Sequence, residues 1–309
     1  MGDLPEDVER LVAEREELRR ARDFAAADAV RDRLRELGYE VEDTPNGPAA
    51  RPIGPAGRRL APDEVDSVLD RPPTHDASVQ WLVQGWPDDA LRGVEAFRRC
   101  HPGRSIQHVV VDAAGTDAAL WPPDVEVVPL DRDPGWGVGR NLGLGRALGR
   151  IVVLVDGSIE PTGDVIGPLE EALADPTVGL AGPFGLVTGD LHEFRESEGP
   201  DVDAVEGYLM ALRWDVLARA GGLDERFRFY RAADIEFSFR IKDLGLRCVV
   251  VPLPIVRHEH RMWANTPPEE RDRLSKRNFY RFLDRWRGRL DLTVEGRGNE
   301  GQDGPRPTE

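Results

Sequence analysis

Acidic side chains stand at three junctions of this chain. VVVDAAGTD places Asp112 and Asp117 after an apolar run, VLVDGSIEP places Asp156 and Ser158 after another, and RAADIEFSFR places Asp234 at a helix start. A further segment, VRHEHR, carries His258 and His260 after a fourth strand-like stretch. Carboxylates and imidazoles accept and hand on protons, and carboxylate oxygens suit hard cations. Taken singly, an aspartate after a strand caps a helix or forms a turn, and HEH reads as a solvated strand end. Taken in order, they form a series. No GxGxxG, Walker A, HExxH or GxSxG pattern is present. The glycine-rich GWGVGRNLGLG, which contains Arg140, has the wrong spacing for a phosphate-cradling loop and reads as a tightly packed loop and helix.

The elements that must position these residues alternate. From 77 to 260, strand signals (SVQWLVQ, IQHVVVDA, VEVVPL, RIVVLVD, VGLAGPFG, VEGYLMALR, LRCVVVPLP) interleave with helix signals (PDDALRGVEAFRRC, GVGRNLGLGRALG, DVIGPLEEALAD, WDVLARAG, AADIEFSFRIKDLG). This spacing predicts a mostly parallel sheet covered by helices. Ligands of such sheets bind at the carboxyl ends of the strands, where Asp112 and Asp156 stand. Residues 1–55 differ: Leu11, Leu18, Phe24, Ala27, Val30 and Leu34 recur at helical steps, Gly38 suits a C-cap, and YEVED, PNG and ARPI read as a small hairpin. Residues 56–76, rich in Pro, Gly and Arg, read as a linker. A basic, aromatic helix is expected within 263–292, and 293–309 reads as a disordered tail.

The 309 residues, 40% hydrophobic and 32% charged, suffice for a sizeable core. A net charge of −16 argues against general nucleic-acid binding, because no basic surplus exists to neutralise phosphates. Two cysteines, Cys100 and Cys248, make neither a disulfide framework nor a zinc site, which fits a reducing compartment. The acidic N-terminus has no signal-peptide pattern and the apolar runs are strand-sized, so the reading places the chain in the cytoplasm. The helix at 268–290 is the candidate for peripheral membrane contact, with Phe279, Phe282 and Trp286 inserting. Docking of that same face on the catalytic domain is the favoured reading.

ARDFAAADAVRDRLRELGYEVEDTPNG resembles the C-terminal segment of cysteinyl-tRNA synthetases over roughly residues 13–52. It carries no catalytic residue. Packing or self-association through these helices is the favoured role, ahead of tRNA contact.

The stretch Ala77–His260 resembles family 2 glycosyltransferases of the GT-A fold. The matching segments are a first strand ending near Gln84, VVVDAAGTD, GVGRNLGLGRALGRIVVLVD, VEGYLMALRWDVLARAGGLDERF, ADIEFSFR and VVVPLPIVRHEH. The resemblance implies an α/β nucleotide-diphospho-sugar transferase fold plus a small N-terminal helical module. It implies a nucleoside-diphosphate sugar donor, a glycan, lipid or small-molecule hydroxyl acceptor of unspecified identity, and an Mg²⁺ or Mn²⁺ cofactor. Asp112 matches the acid that contacts the donor's base, and Gln84 and Arg140 stand where members touch the nucleotide. Asp156 matches the first acid of the metal-holding DxD motif, and His258 a position where some relatives place a metal or diphosphate ligand. Asp234 matches the acid of a Glu-Asp pair that serves as general base in an inverting transfer. Two departures are evident. Ser158 replaces the second acid of the DxD, which weakens the case for a metal, and Ala233 replaces the glutamate of the pair. They leave open a catalytically degenerate scaffold on the same fold. The acidic LHEFRESEGPDVDAVEG, before the acceptor-side strand, reads either as a specificity loop or as a solvated excursion. Tyr208 and Trp214 read as packing residues or as sugar-stacking ones.

Overall fold

In the computed structural model the described residues are 6–37, 39–44, 47–52 and 59–296. The chain divides into two compact units, Met1–Arg59 and Leu60–Glu309. The expected Gly38 cap and most of the expected tail lie outside the described residues.

The first unit holds α1 (Glu6–Arg20), α2 (Phe24–Glu36), β1 (Tyr39–Thr44) and β2 (Gly47–Pro52). The strands pair antiparallel. Asp23 caps α2, its Oδ1 accepting from the Ala26 N–H at 3.1 Å. Val8, Leu11, Val30, Leu34 and Val41 form a core of the unit's own. Phe24, expected on the apolar face, is 57% exposed because it opens α2 at the turn, beyond the reach of that cluster.

The second unit runs β3 (His75–Val83), α3 (Pro87–Cys100), β4 (Ile106–Asp112), β5 (Val125–Pro129), α4 (Trp136–Gly145), β6 (Gly149–Val155), β7 (Ile159–Pro161), α5 (Ile166–Leu173) and β8 (Val178–Gly182). Then come the short strands β9 (Gly185–Val187), β10 (Arg195–Ser197), β11 (Asp201–Val202) and β12 (Ala204–Val205), followed by β13 (Leu209–Arg213) and α6 (Trp214–Ala220). The chain continues with α7 (Ala233–Asp243), β14 (Arg247–Val250), β15 (Ile255–Arg257), α8 (Arg261–Asn265) and α9 (Pro268–Trp286). An eight-stranded sheet has the order β11-β14-β8-β13-β6-β3-β4-β5. The β3–β4, β3–β6, β4–β5 and β8–β14 pairs are parallel, and β13 runs antiparallel between β6 and β8. Continuous apolar runs such as IVVLV sit in its centre because both sheet faces are covered. One face packs α3 and α5 around Trp81, Phe97 and Leu169, and the other packs α6 and α7 around Leu180, Leu212 and Phe237.

Residues 60–76, expected as linker, belong to the second unit. Leu60 bridges to Leu130, the Val68 N–H donates to the Gly145 carbonyl at 2.7 Å, and Val68 is buried. Proline and glycine shape this segment without freeing it, since its few apolar side chains find the edge of β5 and the end of α4. The glycines of α4 allow close approach: a Cβ at Gly137 would stand 2.7 Å from the Asp224 carbonyl oxygen. The acidic stretch after β9 is ordered by one buried carboxylate. Asp203 pairs with Lys242 at 2.7 Å and accepts from the Thr188 and Val294 N–H groups.

Helix α9 docks its apolar stripe. Phe282, Leu283 and Trp286 are buried with Phe239 of α7, Leu191 and Leu292, and the Phe239 and Phe282 rings meet edge-on at 5.1 Å. Arg285 pairs with Glu236 at 2.8 Å. Asn278, fully buried, donates to the Phe229 and Arg231 carbonyls at 2.6 and 2.9 Å and so fixes the segment that enters α7. Phe282 and Trp286, considered for membrane insertion, are therefore used in the interior, and Phe279 packs half-buried at its edge. Among the described residues no helix is long and apolar enough to cross a membrane. Phe282→Ala is expected to cost about 3–5 kcal/mol. Urea unfolding checks this, and a loss below about 1 kcal/mol, the scale of a surface change, contradicts the docking.

Candidate active site

A cleft opens where β3 and β6 end. It has two lobes. The larger spans about 530 Å³, counting its open mouth, and is lined by residues that include Gln84, Trp86, Asp89, Trp136, Arg140, Asp156, Ser158, Tyr230 and His260. The smaller, of about 380 Å³, is lined by Trp136, Asp156, Glu206, Gly207, Tyr208, Tyr230, Arg231, Asp234 and His260. Trp136, Asp156, Tyr230 and His260 are common to both, so the lobes meet at Asp156.

Asp156 follows the last residue of β6, and its N–H donates to the Tyr208 carbonyl at 2.9 Å, joining β6 to the start of β13. Its Oδ1 accepts from the Ser158 N–H at 2.9 Å and the Ser158 hydroxyl at 2.5 Å. Its Oδ2 lies 3.3 Å from His260 Nε2. Burial pushes this carboxyl group up, but the bonds from His260 and Ser158 outweigh it and hold Asp156 at about 2. Ser158 therefore secures the charge of Asp156 as its hydrogen-bond partner. The Nδ1 of His260 accepts from the Trp263 N–H at 3.1 Å, which leaves the proton on Nε2, facing Asp156. The imidazole also packs against Tyr230, ring centres 4.6 Å apart, and Tyr208, 5.8 Å apart.

His258 was the expected histidine, and the structure places it elsewhere. Its Nε2 lies 2.9 Å from Glu160 on β7, and it is not among the residues lining either lobe. Strand β15 ends at Arg257, and the chain then turns to begin α8 with His260 as its cap. Two-residue strand alternation stops at that turn, so the two histidines part.

Arg140 lies on the floor of the larger lobe, 1% exposed. Its Nη1 donates to Gln80 Oε1 at 2.9 Å, the Gln80 carbonyl at 3.2 Å and the Val155 carbonyl at 3.1 Å, and the guanidinium lies over the Trp136 ring at 5.4 Å. Its buried Nε has no hydrogen-bond partner among the described residues. Burial pushes it down to about 10, with the Asp156 charge opposing, so it stays a cation near neutrality. A buried cation with an unsatisfied donor suits an anion in the lobe above it. Gln84 lines the same lobe, and its Nε2 donates to both oxygens of Asp133 at 2.9 and 3.0 Å.

Asp112, by contrast, is 1% exposed and lines neither lobe. Its Oδ1 accepts from the Ala114 N–H, and its Oδ2 from the Thr116 N–H and hydroxyl, each at 2.9 Å. The turn after β4 thus uses the carboxylate that was expected to face the donor's base.

Asp234 opens the first turn of α7 in the smaller lobe. Its Oδ2 accepts from the Gly207 N–H and its Oδ1 from the Ile235 N–H, both at 2.9 Å. Burial raises it above the usual carboxylate range, and these backbone bonds oppose the rise. The residue before α7, Ala232, takes φ 63°, and Trp86 before α3 takes φ 49°. Left-handed backbone at residues other than glycine costs of order 1–3 kcal/mol, and both helix starts border the cleft. Glu206, Tyr208, Tyr230, Arg231 and His260 complete the site; from the sequence only Tyr208, as a packing or sugar-stacking residue, and His260, beside His258, were noted. Glu206 was hidden in an acidic stretch and its strand-like continuation, VEGYLMALR, whose pairing begins only at Leu209.

The donors present fit a hard divalent cation that takes the rest of its shell elsewhere. Asp156 is ionised in the cleft, and His260 is beside it. Among the described residues no group of three or more His, Cys, Asp or Glu side chains could hold an ion alone. Mg²⁺ and Mn²⁺ bound through one or two protein groups, substrate phosphates and waters need no such cage.

Residues 1–48 match the family model described as cysteinyl-tRNA ligase anticodon binding domain. Within that segment the cysteine–tRNA ligase of Solidesulfovibrio magneticus is 58% identical over 41 residues, 13% of this chain and 8% of that protein. The pre-mycofactocin glycosyltransferase of Mycobacterium tuberculosis is 25% identical over 276 residues, covering 75% of this chain and 55% of that protein. The chain thus spans about half the length of that relative. Among solved structures, GalNAc-T7 with UDP, GalNAc and Mn²⁺ superposes with a TM-score of 0.56 at 17% identity, covering 70% of this chain and 50% of that one. Over its sheet and helices the chain is therefore similar to glycosyltransferases and shares the GT-A-type fold, and over its first residues it is similar to the anticodon-binding domain of cysteinyl-tRNA ligases.

Proposed function

We propose that the chain is an inverting, family 2-like glycosyltransferase that moves a sugar from a nucleoside-diphosphate donor to a hydroxyl acceptor. One observation carries the reading: a two-lobed cleft with a buried cation, Arg140, under one lobe, a half-buried carboxylate, Asp234, in the other, and Asp156 where they meet. The larger lobe takes the donor. Gln84 and Arg140 line it, with Arg140 drawing the diphosphate. Asp112, outside the lobes, acts on the base only through the turn it holds. Asp156, its carboxylate secured by Ser158 and His260, would hold Mg²⁺ or Mn²⁺ together with the donor diphosphate, and the ion would supply charge stabilisation for the leaving group. The GalNAc-T7 structure with UDP and Mn²⁺ supports this choice of donor class and cofactor.

Asp234, across the junction, accepts the proton of the attacking hydroxyl. Attack from the smaller lobe while the diphosphate departs into the larger one inverts the anomeric centre. Trp136, Tyr208 and Tyr230 give the acceptor lobe aromatic faces, which suit the apolar faces of a sugar ring. The test is release of nucleoside diphosphate from a panel of UDP-, GDP- and dTDP-sugars. Turnover of one class, abolished in Asp234→Asn, is expected. Nucleotide binding without turnover of any class would favour the scaffold reading that Ser158 and Ala233 motivate.

For the first unit, the match over residues 1–48 favours contact with tRNA as a second reading beside self-association. Salt-sensitive retention of tRNA by the full chain, lost on deleting 1–55, supports tRNA contact. A concentration-dependent mass, lost in the same deletion, supports self-association.

A further inference from the structure

The smaller lobe holds a second acid besides Asp234. Glu206 immediately precedes Gly207, whose N–H binds Asp234, so both carboxyl groups line one lobe. Ala233 leaves the start of α7 with no acid directly before Asp234. Glu206 reaches the lobe from the turn before β13 instead. The charged and titratable groups facing it are Asp234 and Arg231 at the start of α7, Arg257 on β15, Glu196 on β10, and the adjacent Tyr208.

Resting on the transferase reading, we propose that Glu206 is the second carboxyl group of the acceptor lobe, donating a hydrogen bond to an acceptor oxygen while Asp234 takes the proton of the attacking hydroxyl. The two acids have unlike surroundings. Asp234 accepts two backbone N–H bonds, which favour its ionised form, whereas the Glu206 side chain accepts none among the described residues. Burial, with the charge of Asp234 adding to it and Arg257 and Arg231 opposing, pushes Glu206 up to about 7. The two backbone N–H bonds and Arg231 favour charge on Asp234, so in this proposal the proton shared by the pair rests on Glu206. During transfer the acceptor's O–H bond breaks, its proton goes to Asp234, and its oxygen forms the bond to the anomeric carbon. The bond from that carbon to the diphosphate oxygen breaks, and its electron pair leaves with the nucleoside diphosphate. Glu206 keeps its proton throughout and orients the acceptor.

The experiment uses water as the probe acceptor. Hydrolysis of the preferred sugar nucleotide is followed from about pH 6 to about pH 8 in wild type, Glu206→Gln and Glu206→Ala, with nucleotide binding and urea unfolding of each. Wild type is expected to lose activity as Glu206 ionises. Glu206→Gln, which keeps a neutral donor, stays within about threefold of wild type at the acid end and does not show that decline, while Glu206→Ala is slowed about tenfold at the acid end, the scale of one lost hydrogen bond, and approaches wild type at the alkaline end. Hydrolysis with the same decline in all three proteins, or an unslowed Glu206→Ala, overturns the role of Glu206 alone. Failure of wild type to turn over or bind any sugar nucleotide overturns the transferase reading, and this proposal with it.

Discussion

Replacing Asp234 by asparagine is expected to lower sugar transfer by about 10²–10⁴-fold, the contribution of a well-placed general base. Nucleotide affinity should hold within about threefold, because the acceptor lobe adds little to donor binding. The side chain is well placed to act as a base, since two backbone N–H groups fix its orientation and burial keeps it more basic than a solvated aspartate. Activity therefore falls as pH drops through that raised value, because the base must be ionised to accept the proton. Asparagine offers one acceptor oxygen where aspartate offers two, so one of the two N–H groups loses its partner, at about 1–3 kcal/mol. Urea unfolding separates that loss from the loss of chemistry. A variant that folds, binds nucleotide and transfers at the wild-type rate contradicts the assignment.

Asp156→Ala is expected to weaken nucleotide binding in Mn²⁺ by about ten- to a hundredfold or more, the scale seen when the surroundings of a metal ligand are removed. Without Mn²⁺ the two proteins should differ little. The same substitution leaves the His260 Nε2–H and the Ser158 hydroxyl without their acceptor. Stability has a defined pH signature. The folded protein holds Asp156 at about 2, below its ordinary 3.8, so its contribution is present above the ordinary value and is lost as pH falls towards about 2. Acid unfolding of the wild type and the variant should converge at that end. Equal stability across the whole range would contradict the bonding pattern drawn around Asp156.

How much of this was legible in the sequence depended on which contacts are local. Asp156 and Asp234 could be found because each follows a clear change of periodicity, from strand to turn and from turn to helix. The parallel core was legible for the same reason, since uninterrupted apolar runs mark strands covered on both faces. Glu206 was not, because its meaning depends on Asp234, 28 positions later, and on the exact residue at which β13 begins pairing. His258 and His260 are indistinguishable by type, and only the turn into α8 separates the one at Glu160 from the one at Asp156. Asp112 shows a different limit. A strand-end acid of the right type can be consumed by its own turn, and only the bonds to Ala114 and Thr116 reveal it. The segment 60–76 carries the composition of a linker, yet Leu60 and Val68 anchor it, because a few buried apolar side chains outweigh many prolines and glycines.

The central claim is that the larger lobe is a nucleoside-diphosphate site. Calorimetric titration of the full chain with UDP, GDP and dTDP, each with and without Mn²⁺, tests it most directly. The account predicts that one of the three binds in the micromolar range and that Mn²⁺ tightens it. Absence of binding by all three, with and without the cation, would contradict it.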